Sequence, residues 1–405
     1  MAEMRYKPVD KNKKIYLLYI VTSLFWYSTY IYSSILPTYI KSLGASYLMV
    51  GLILGCYGVG QLVLRVPIGI LSDRLGKRKV FINLGLLFLI ISSLGLYLFE
   101  QPLLILIFRS LSGIASAFWV IFTVLYSSYF KESEATKAVG TLNAFCNGGV
   151  LLGLLSGGFI VDSFGVRYTF LVSLIVAVLG LAVSFGISEK KLNRKPAEVK
   201  ELLIVVRDSN FQTIAVMGVI CQFVSFSTVY GFTPVVAKNI GASDFQIAML
   251  TALSTVPVIL GSALSGSFFA RKFGERRTMI WGLVIAALSC CAIPYSNNMV
   301  ILSISQCIGS FGTGTVFPLL MGLSIKNVTS DKRATAMGIF QALYGFGIFL
   351  GPTVVGALTD GIGIKWGFIT IGAVALSGVI VAMLYKQNSI ITKADSGFKS
   401  NNISV

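Results

Sequence analysis

Apolar residues do not alternate with polar ones along this chain; they gather into twelve long runs. Six lie at 15–37, 48–71, 80–98, 103–125, 138–160 and 168–187, and six more at 210–236, 246–270, 278–294, 299–325, 336–358 and 366–385. Crossing a bilayer takes about 20 residues of α-helix, whereas a barrel strand needs only about 9–11 residues of alternating character. Runs of this length predict membrane-spanning helices. The expected organisation is a tail (1–14), a six-helix bundle (15–187), a basic linker (188–209), a second six-helix bundle (210–385) and a tail (386–405). The first run is too long for the apolar core of a cleavable leader and reads as a retained span.

The two halves repeat. Adding 198 to Ala138, Gly140, Gly149, Gly153, Gly158, Asp162 and Gly165 reaches Ala336, Gly338, Gly347, Gly351, Gly356, Asp360 and Gly363, each of the same type. An offset of 197 carries Pro37, Lys41, Gly44, Ala45 and Ser46 onto Pro234, Lys238, Gly241, Ala242 and Ser243. A parallel repeat of six helices plus six follows.

Composition supports the membrane reading. The chain is 55% apolar and 12% charged, with a mean hydropathy of +0.82; soluble domains carry about 25% charged residues. A net charge of +17 does not imply nucleic acid here, because the basic residues sit between the apolar runs. Placing both termini in the cytoplasm puts 27 of the 33 Lys and Arg residues in inner segments and only Lys41, Arg167, Lys238 and Lys365 outside. That asymmetry sets the orientation in the cytoplasmic (plasma) membrane and lets the inner face meet anionic lipid headgroups. The six cysteines all lie in apolar runs, none in a CxxC pair, and histidine is absent. No metal centre or disulfide framework is expected.

The loop after the second run reads Gly69-Ile-Leu-Ser-Asp73-Arg74-Leu-Gly76-Lys77-Arg78-Lys79. It resembles the signature that the major facilitator superfamily carries between its second and third helices. The fourth run contains Arg109-x-x-Ser112-Gly113, similar to the family's second motif with serine where glutamine is usual. The fifth carries Gly140, Gly149, Gly153, Gly157 and Gly158, at the spacing of the motif of its drug/proton antiporters. Leu154 replaces the proline of that motif, but Pro352 follows Gly351 in the second half. The resemblance spans the whole chain and implies an all-α fold of twelve transmembrane helices in two bundles, alternating access, and no cofactor.

Physical reasoning assigns roles beside that resemblance. Gly76 suits a tight turn, and Asp73 can pair with a neighbouring guanidinium, a gating clasp in which Gly69, Asp73, Arg74, Gly76, Lys77 and Arg78 take part. The second half has Arg271 in place of the aspartate, so the clasp is expected to be asymmetric. Glycines four apart (Gly149, Gly153 and Gly157; Gly347 and Gly351) allow close helix approach, with Gly158, Pro352 and Gly356 beside them. Two charges lie inside runs. A charge at the bilayer centre costs ~2.5–3.5 kcal/mol even on a lenient scale, so Arg65 and Arg109 are functional or paired. At 1.5 Å per residue they stand roughly 15 Å apart along the membrane normal and do not form one clamp. Arg65 is read as gating and Arg109 as substrate-binding or coupling.

The family's geometry places helices 1, 4, 7 and 10 around a cavity. The polar and aromatic candidates there or beside it are Trp26, Tyr30, Trp119, Asn143, Gln222, Tyr230, Gln306 and Gln341, with Gly113 beside Arg109 in its motif. None of the sixteen acidic residues lies within a run, and Asp73, Glu100, Asp162 and Asp360 sit only at run ends, so a buried carboxylate for proton exchange is missing; a proton stays only one candidate coupling ion. Positive charge without a negative counterpart favours anionic or neutral amphipathic solutes over cations. The reading that results is a monomeric secondary transporter for a small molecule, an exporter rather than an enzyme. An uptake permease for an organic anion and a non-transporting receptor are the alternatives. No GxxxxGK[ST] segment is present to cradle ATP.

Overall fold

The computed structural model describes residues 11–130, 132–187, 189, 206–326, 328 and 333–385. Most of the predicted linker, the C-terminal tail and the first ten residues of the N-terminal tail lie outside the described residues. The first half comprises α1 (Lys11–Tyr30, continued as Leu36–Ser42), α2 (Tyr47–Leu75), α3 (Arg78–Leu98), α4 (Pro102–Ser127), α5 (Glu132–Phe164) and α6 (Val166–Ser184). The second comprises α7 (Ser209–Asn239), α8 (Asp244–Phe273), α9 (Glu275–Tyr295), α10 (Met299–Lys326), α11 (Ala336–Ile362) and α12 (Ile364–Leu384). No strand occurs among the described residues.

Eleven of these helices are long and apolar enough to cross a membrane. The exception, α1, begins at Lys11, four residues earlier than expected, so its lysines and its Tyr, Ser and Thr residues dilute the hydropathy of the continuous part. Helix starts follow local chemistry. The Ser46 hydroxyl accepts from the Met49 amide at 3.1 Å, and Ser243 and Gln246 form a reciprocal capping box. Gly76 ends α2 with φ +60, the left-handed conformation that an L side chain resists.

Packing repeats as the sequence does. Helix α1 rests on α5 and α6, α3 on α4 and α6, and α2 on α4; α7, α9 and α8 make the equivalent contacts in the second half. Two seams join the halves, α2 with α11 and α5 with α8. Large apolar side chains such as Leu152, Phe159, Trp281, Leu288, Val300 and Ile380 point outward, as a lipid-facing surface requires and a water-facing one does not tolerate.

The two ends of the molecule differ. At the end remote from the basic loops, one buried apolar cluster draws Ile35 and Val161 from the first half together with Phe232, Ile247, Val355 and Phe368 from the second. At the basic end each half keeps its own core, Phe81, Phe118 and Leu125 in one and Met279, Leu320 and Phe340 in the other. Gly69, Gly140, Gly266, Gly322 and Gly338, all in the basic half of their helices, would meet nothing within 4 Å if a methyl were added.

Candidate functional site

Both innermost helices are interrupted at equivalent positions. Helix α1 breaks into turns over 31–35, just before Pro37, and α7 widens into a π-helical segment, Thr228–Phe232, just before Pro234. Proline removes an amide donor and crowds the preceding turn, so irregular backbone upstream of each has a local cause. Matched interruptions in the two halves of a membrane repeat point to a candidate binding site. Aromatic rings gather beside them. Tyr30 meets Tyr230 across the halves with ring centroids 5.3 Å apart, Tyr57 meets Phe226 at 6.0 Å, and Phe226 lies 5.3 Å from Tyr230. Behind Tyr30 stand Trp26, at 5.8 Å, and Trp119, 5.3 Å from Trp26. The indole nitrogen of Trp26 is buried without a partner among the described residues.

Arg109 is buried against this group. Its guanidinium donates to Tyr32 Oη at 2.9 Å and Ser112 Oγ at 3.1 Å, and it lies 4.7 Å from the centre of the Tyr57 ring. Neutral dipoles and a ring face stabilise the charge here without neutralising it. Gly113 has a plain reason for being glycine: a side chain there would press on the Tyr57 backbone, so α2 and α4 need it to touch.

Arg65 sits where two other helices are interrupted. Helix α4 breaks at Phe118 and α11 at Tyr344. Arg65 donates to the Ser116 carbonyl at 3.0 Å, to Tyr344 Oη at 2.9 Å and, more weakly, to the Gln341 carbonyl at 3.4 Å. Each helical segment that ends there presents the negative end of its dipole, which explains how a guanidinium lies buried with no carboxylate paired to it among the described residues. The two arginines share no partner; Ser116 and Tyr57, whose hydroxyls are 2.7 Å apart, lie between them.

The remaining candidates separate. The Gln306 amide is committed within its own half, accepting from Thr233 at 2.7 Å and donating to Ser310 at 3.1 Å. Gln341 reaches the group through its carbonyl. Asn143 and Gln222 are half-buried on α5 and α7. In the basic loop, Asp73 pairs with Arg78 at 3.0 Å inside the first half, while Arg74 and Lys77 are exposed. The second half puts Glu275 there, bonded to Lys326 at 2.6 Å and accepting from Tyr385 Oη at 3.2 Å. Burial and that carboxylate push the Tyr385 phenol above its ordinary range, so it stays a donor.

The glycine rows divide as well. Gly149, Gly153 and Gly157 face the α1 backbone at Ser23, Tyr27 and Ile31, and Gly347 and Gly351 face α7 at Val219 and Phe223. Gly158 and Gly356 instead touch the opposite half, at Ala248 and Tyr47, and the Pro352 carbonyl lies against Gly51 of α2. Gly140 stands in open space. Sequence reasoning passed over Tyr32, Tyr57, Ser116 and Tyr344, because a tyrosine or serine in an apolar run carries no mark separating a ligand of arginine from packing.

Similarity to known proteins agrees with this architecture. The family model for the Major Facilitator Superfamily matches residues 18–237 and 215–402. An MFS-type transporter of Methanocaldococcus jannaschii is 25% identical over 87% of this chain and 93% of its own length. The quinolone resistance protein NorA of Staphylococcus aureus is 23% identical over 93% of this chain and 97% of its own. Among solved structures, a bacterial homologue of the human lysosomal transporter Spinster, inward-facing and unoccupied, superposes with a TM-score of 0.78, covering 94% of this chain and 97% of that one at 15% identity. Twelve helices in two like halves, a repeated packing order and these matches across nearly the whole length have one explanation: the chain is a multi-pass membrane transporter that belongs to the major facilitator superfamily and resembles its drug exporters.

Proposed function

We propose that this transporter exports an anionic or amphipathic small molecule across the cytoplasmic membrane by alternating access of bundles 15–187 and 210–385, with both termini and the linker 188–209 in the cytoplasm. The observation that carries the substrate class is Arg109. It is 5% exposed, held only by hydroxyls and ring faces, and its Nε has no partner among the described residues. No described carboxylate pairs with it. A guanidinium so held keeps its positive potential and its planar donor fork for an arriving carboxylate or phosphate. The aromatic group of Trp26, Tyr30, Trp119 and Tyr230 supplies the apolar surface an amphipathic solute needs. Export is supported by the likeness to the quinolone resistance protein. The basic end is then the cytoplasmic one, and the arrangement corresponds to closure toward the outside. A proton is one candidate coupling ion, and the working unit is the monomer.

The test is transport by purified protein in liposomes, with a panel of fluorescent organic anions, cations and neutral solutes under imposed pH and sodium gradients. Anions are expected to move and cations to be excluded. Losing a charge-assisted contact of ~1.5–3 kcal/mol predicts that Arg109→Gln lowers transport roughly ten- to hundredfold, with Arg109→Lys intermediate, while both still insert and fold. Normal anion transport by folded Arg109→Gln protein, or a preference for cations, would overturn the substrate class. Movement only down an inward substrate gradient would favour the uptake permease.

A further inference from the structure

The repeat contains a carboxylate that neither the charge pattern nor the aromatic group accounts for: Asp162 on α5 and its equivalent Asp360 on α11, each four residues beyond an interface glycine, Gly158 or Gly356. Both stand at the closed end, and both reach into the opposite half. Asp360 accepts from the Tyr47 amide at 2.9 Å through Oδ1 and from the Leu48 amide at 2.7 Å through Oδ2. These are the first two amides of α2. Asp162 accepts from the Phe245 amide of α8 at 3.2 Å, and Phe245 is the repeat equivalent of Leu48. The helices' own serines already take the third amide, Ser46 from Met49 and Ser243 from Gln246. Each helix start is therefore capped twice, once by its own half and once by the other.

We infer that Asp162 and Asp360 are positioning residues that hold the two halves together at this end, each by capping a helix of the opposite bundle. The physics favours it: the first amides of a helix have no intrahelical partner, and a negative charge there also gains from the helix dipole. Gly158 and Gly356 make the approach feasible, since a side chain at either would press on α8 or α2. The pair is unequal. Asp360 is bidentate and faces no other carboxylate on α2, whereas α8 begins with its own acid, Asp244, paired with Lys238 at 2.8 Å. Asp360 therefore carries more of the closure than Asp162. When the halves part at this end, all three bonds must break, and water replaces the carboxylates.

The inference rests on alternating access, so its test must separate the two. In a background with the six native cysteines replaced, Phe164→Cys and Ile362→Cys place spin labels on exposed positions of the two halves at this end. Pulsed electron resonance then reads the share of molecules with this end closed. A lost helix-terminal charge of ~0.3–1 kcal/mol predicts that Asp360→Asn raises the open-to-closed ratio about two- to fivefold, with a smaller rise for Asp162→Asn. A second variant removes the donor. Tyr47 is the first residue of α2 after an extended Ser46 (φ −64, ψ 159), a position that accepts proline. Tyr47→Pro deletes the amide and Tyr47→Ala keeps it, so Tyr47→Pro should open this end further than Tyr47→Ala, and the excess should vanish in the Asp360→Asn background. An unchanged ratio in Asp360→Asn, or equal behaviour of Tyr47→Pro and Tyr47→Ala, would overturn the clasp. If substrate moves the labels but the aspartate variants do not, only the clasp fails; if nothing moves them, alternating access fails as well.

Discussion

The closed end and the basic end solve opposite problems with the same side-chain types. At the basic end, charges pair inside a half: Asp73 with Arg78 in the first, Glu275 with Lys326 in the second. At the closed end Glu100 and Asp244 also pair within a half, with Arg167 and Lys238, but Asp162 and Asp360 cross between halves and find backbone amides. A side chain bonded within its own bundle leaves that bundle free to move as a unit, and one bonded across the seam resists the movement. What distinguishes the ends is thus where the partners lie, not how many charges there are.

That comparison can be broken first at the seam itself. Gly51 of α2 faces the Pro352 carbonyl so closely that any Cβ would overlap it. Overpacking costs about 1–3 kcal/mol, so Gly51→Ile should push α2 from α11, lower transport by roughly tenfold or more in liposomes, and lengthen the distance between spin labels at 164 and 362. Unchanged distances would mean that the seam yields by repacking.

The second break lies deeper. Arg65 joins α4 of its own half to Tyr344 of the other, the side-chain link among the described residues that lies nearest the basic end. Hydrogen bonds from a charged group contribute ~1.5–3 kcal/mol. Arg65→Gln should lower the midpoint of thermal unfolding in detergent by a few degrees and slow transport about fivefold. Tyr344→Phe should reproduce the transport effect with little loss of stability. If Tyr344→Phe transports normally, the bond across the seam has no part in the cycle.

The smallest effects are expected at the basic end. The Asp73–Arg78 pair is partly exposed, and such pairs contribute about 0.2–1 kcal/mol. Asp73→Asn should change the initial transport rate roughly two- to fivefold, and Arg271→Ala, whose side chain is exposed, by less than twofold. The reverse order would show that the second half's basic loop carries the gate.

Much of this architecture is visible in the residue order. Twelve apolar runs locate the helices to within a few residues, and the offset of 198 matches equivalent elements. The interruptions are harder to read. Pro37 and Pro234 announce two of them, yet Phe118 in α4 has no proline or glycine beside it, and nothing in the run 103–125 predicts a break. What holds that break is tertiary: the Ser116 carbonyl takes its hydrogen bond from Arg65, a partner 51 positions away. The site shows the same limit. Arg65 and Arg109 stand out because charge is costly in an apolar run. Tyr57 and Ser116, which lie between them, do not, because hydroxyl groups are tolerated almost anywhere in a helix bundle.

The clasp at the closed end has a genetic consequence. Its acceptors are two aspartates, but its donors belong to the main chain of residues 47, 48 and 245. Every replacement at those three positions except proline keeps the donor, so a survey of single substitutions would register sensitivity at 162 and 360 and near silence opposite them. Second-site suppressors of an aspartate variant cannot restore the lost charge through a new side chain on the donor side. They should arise instead among the small residues around Gly158 and Gly356, where closer packing can compensate.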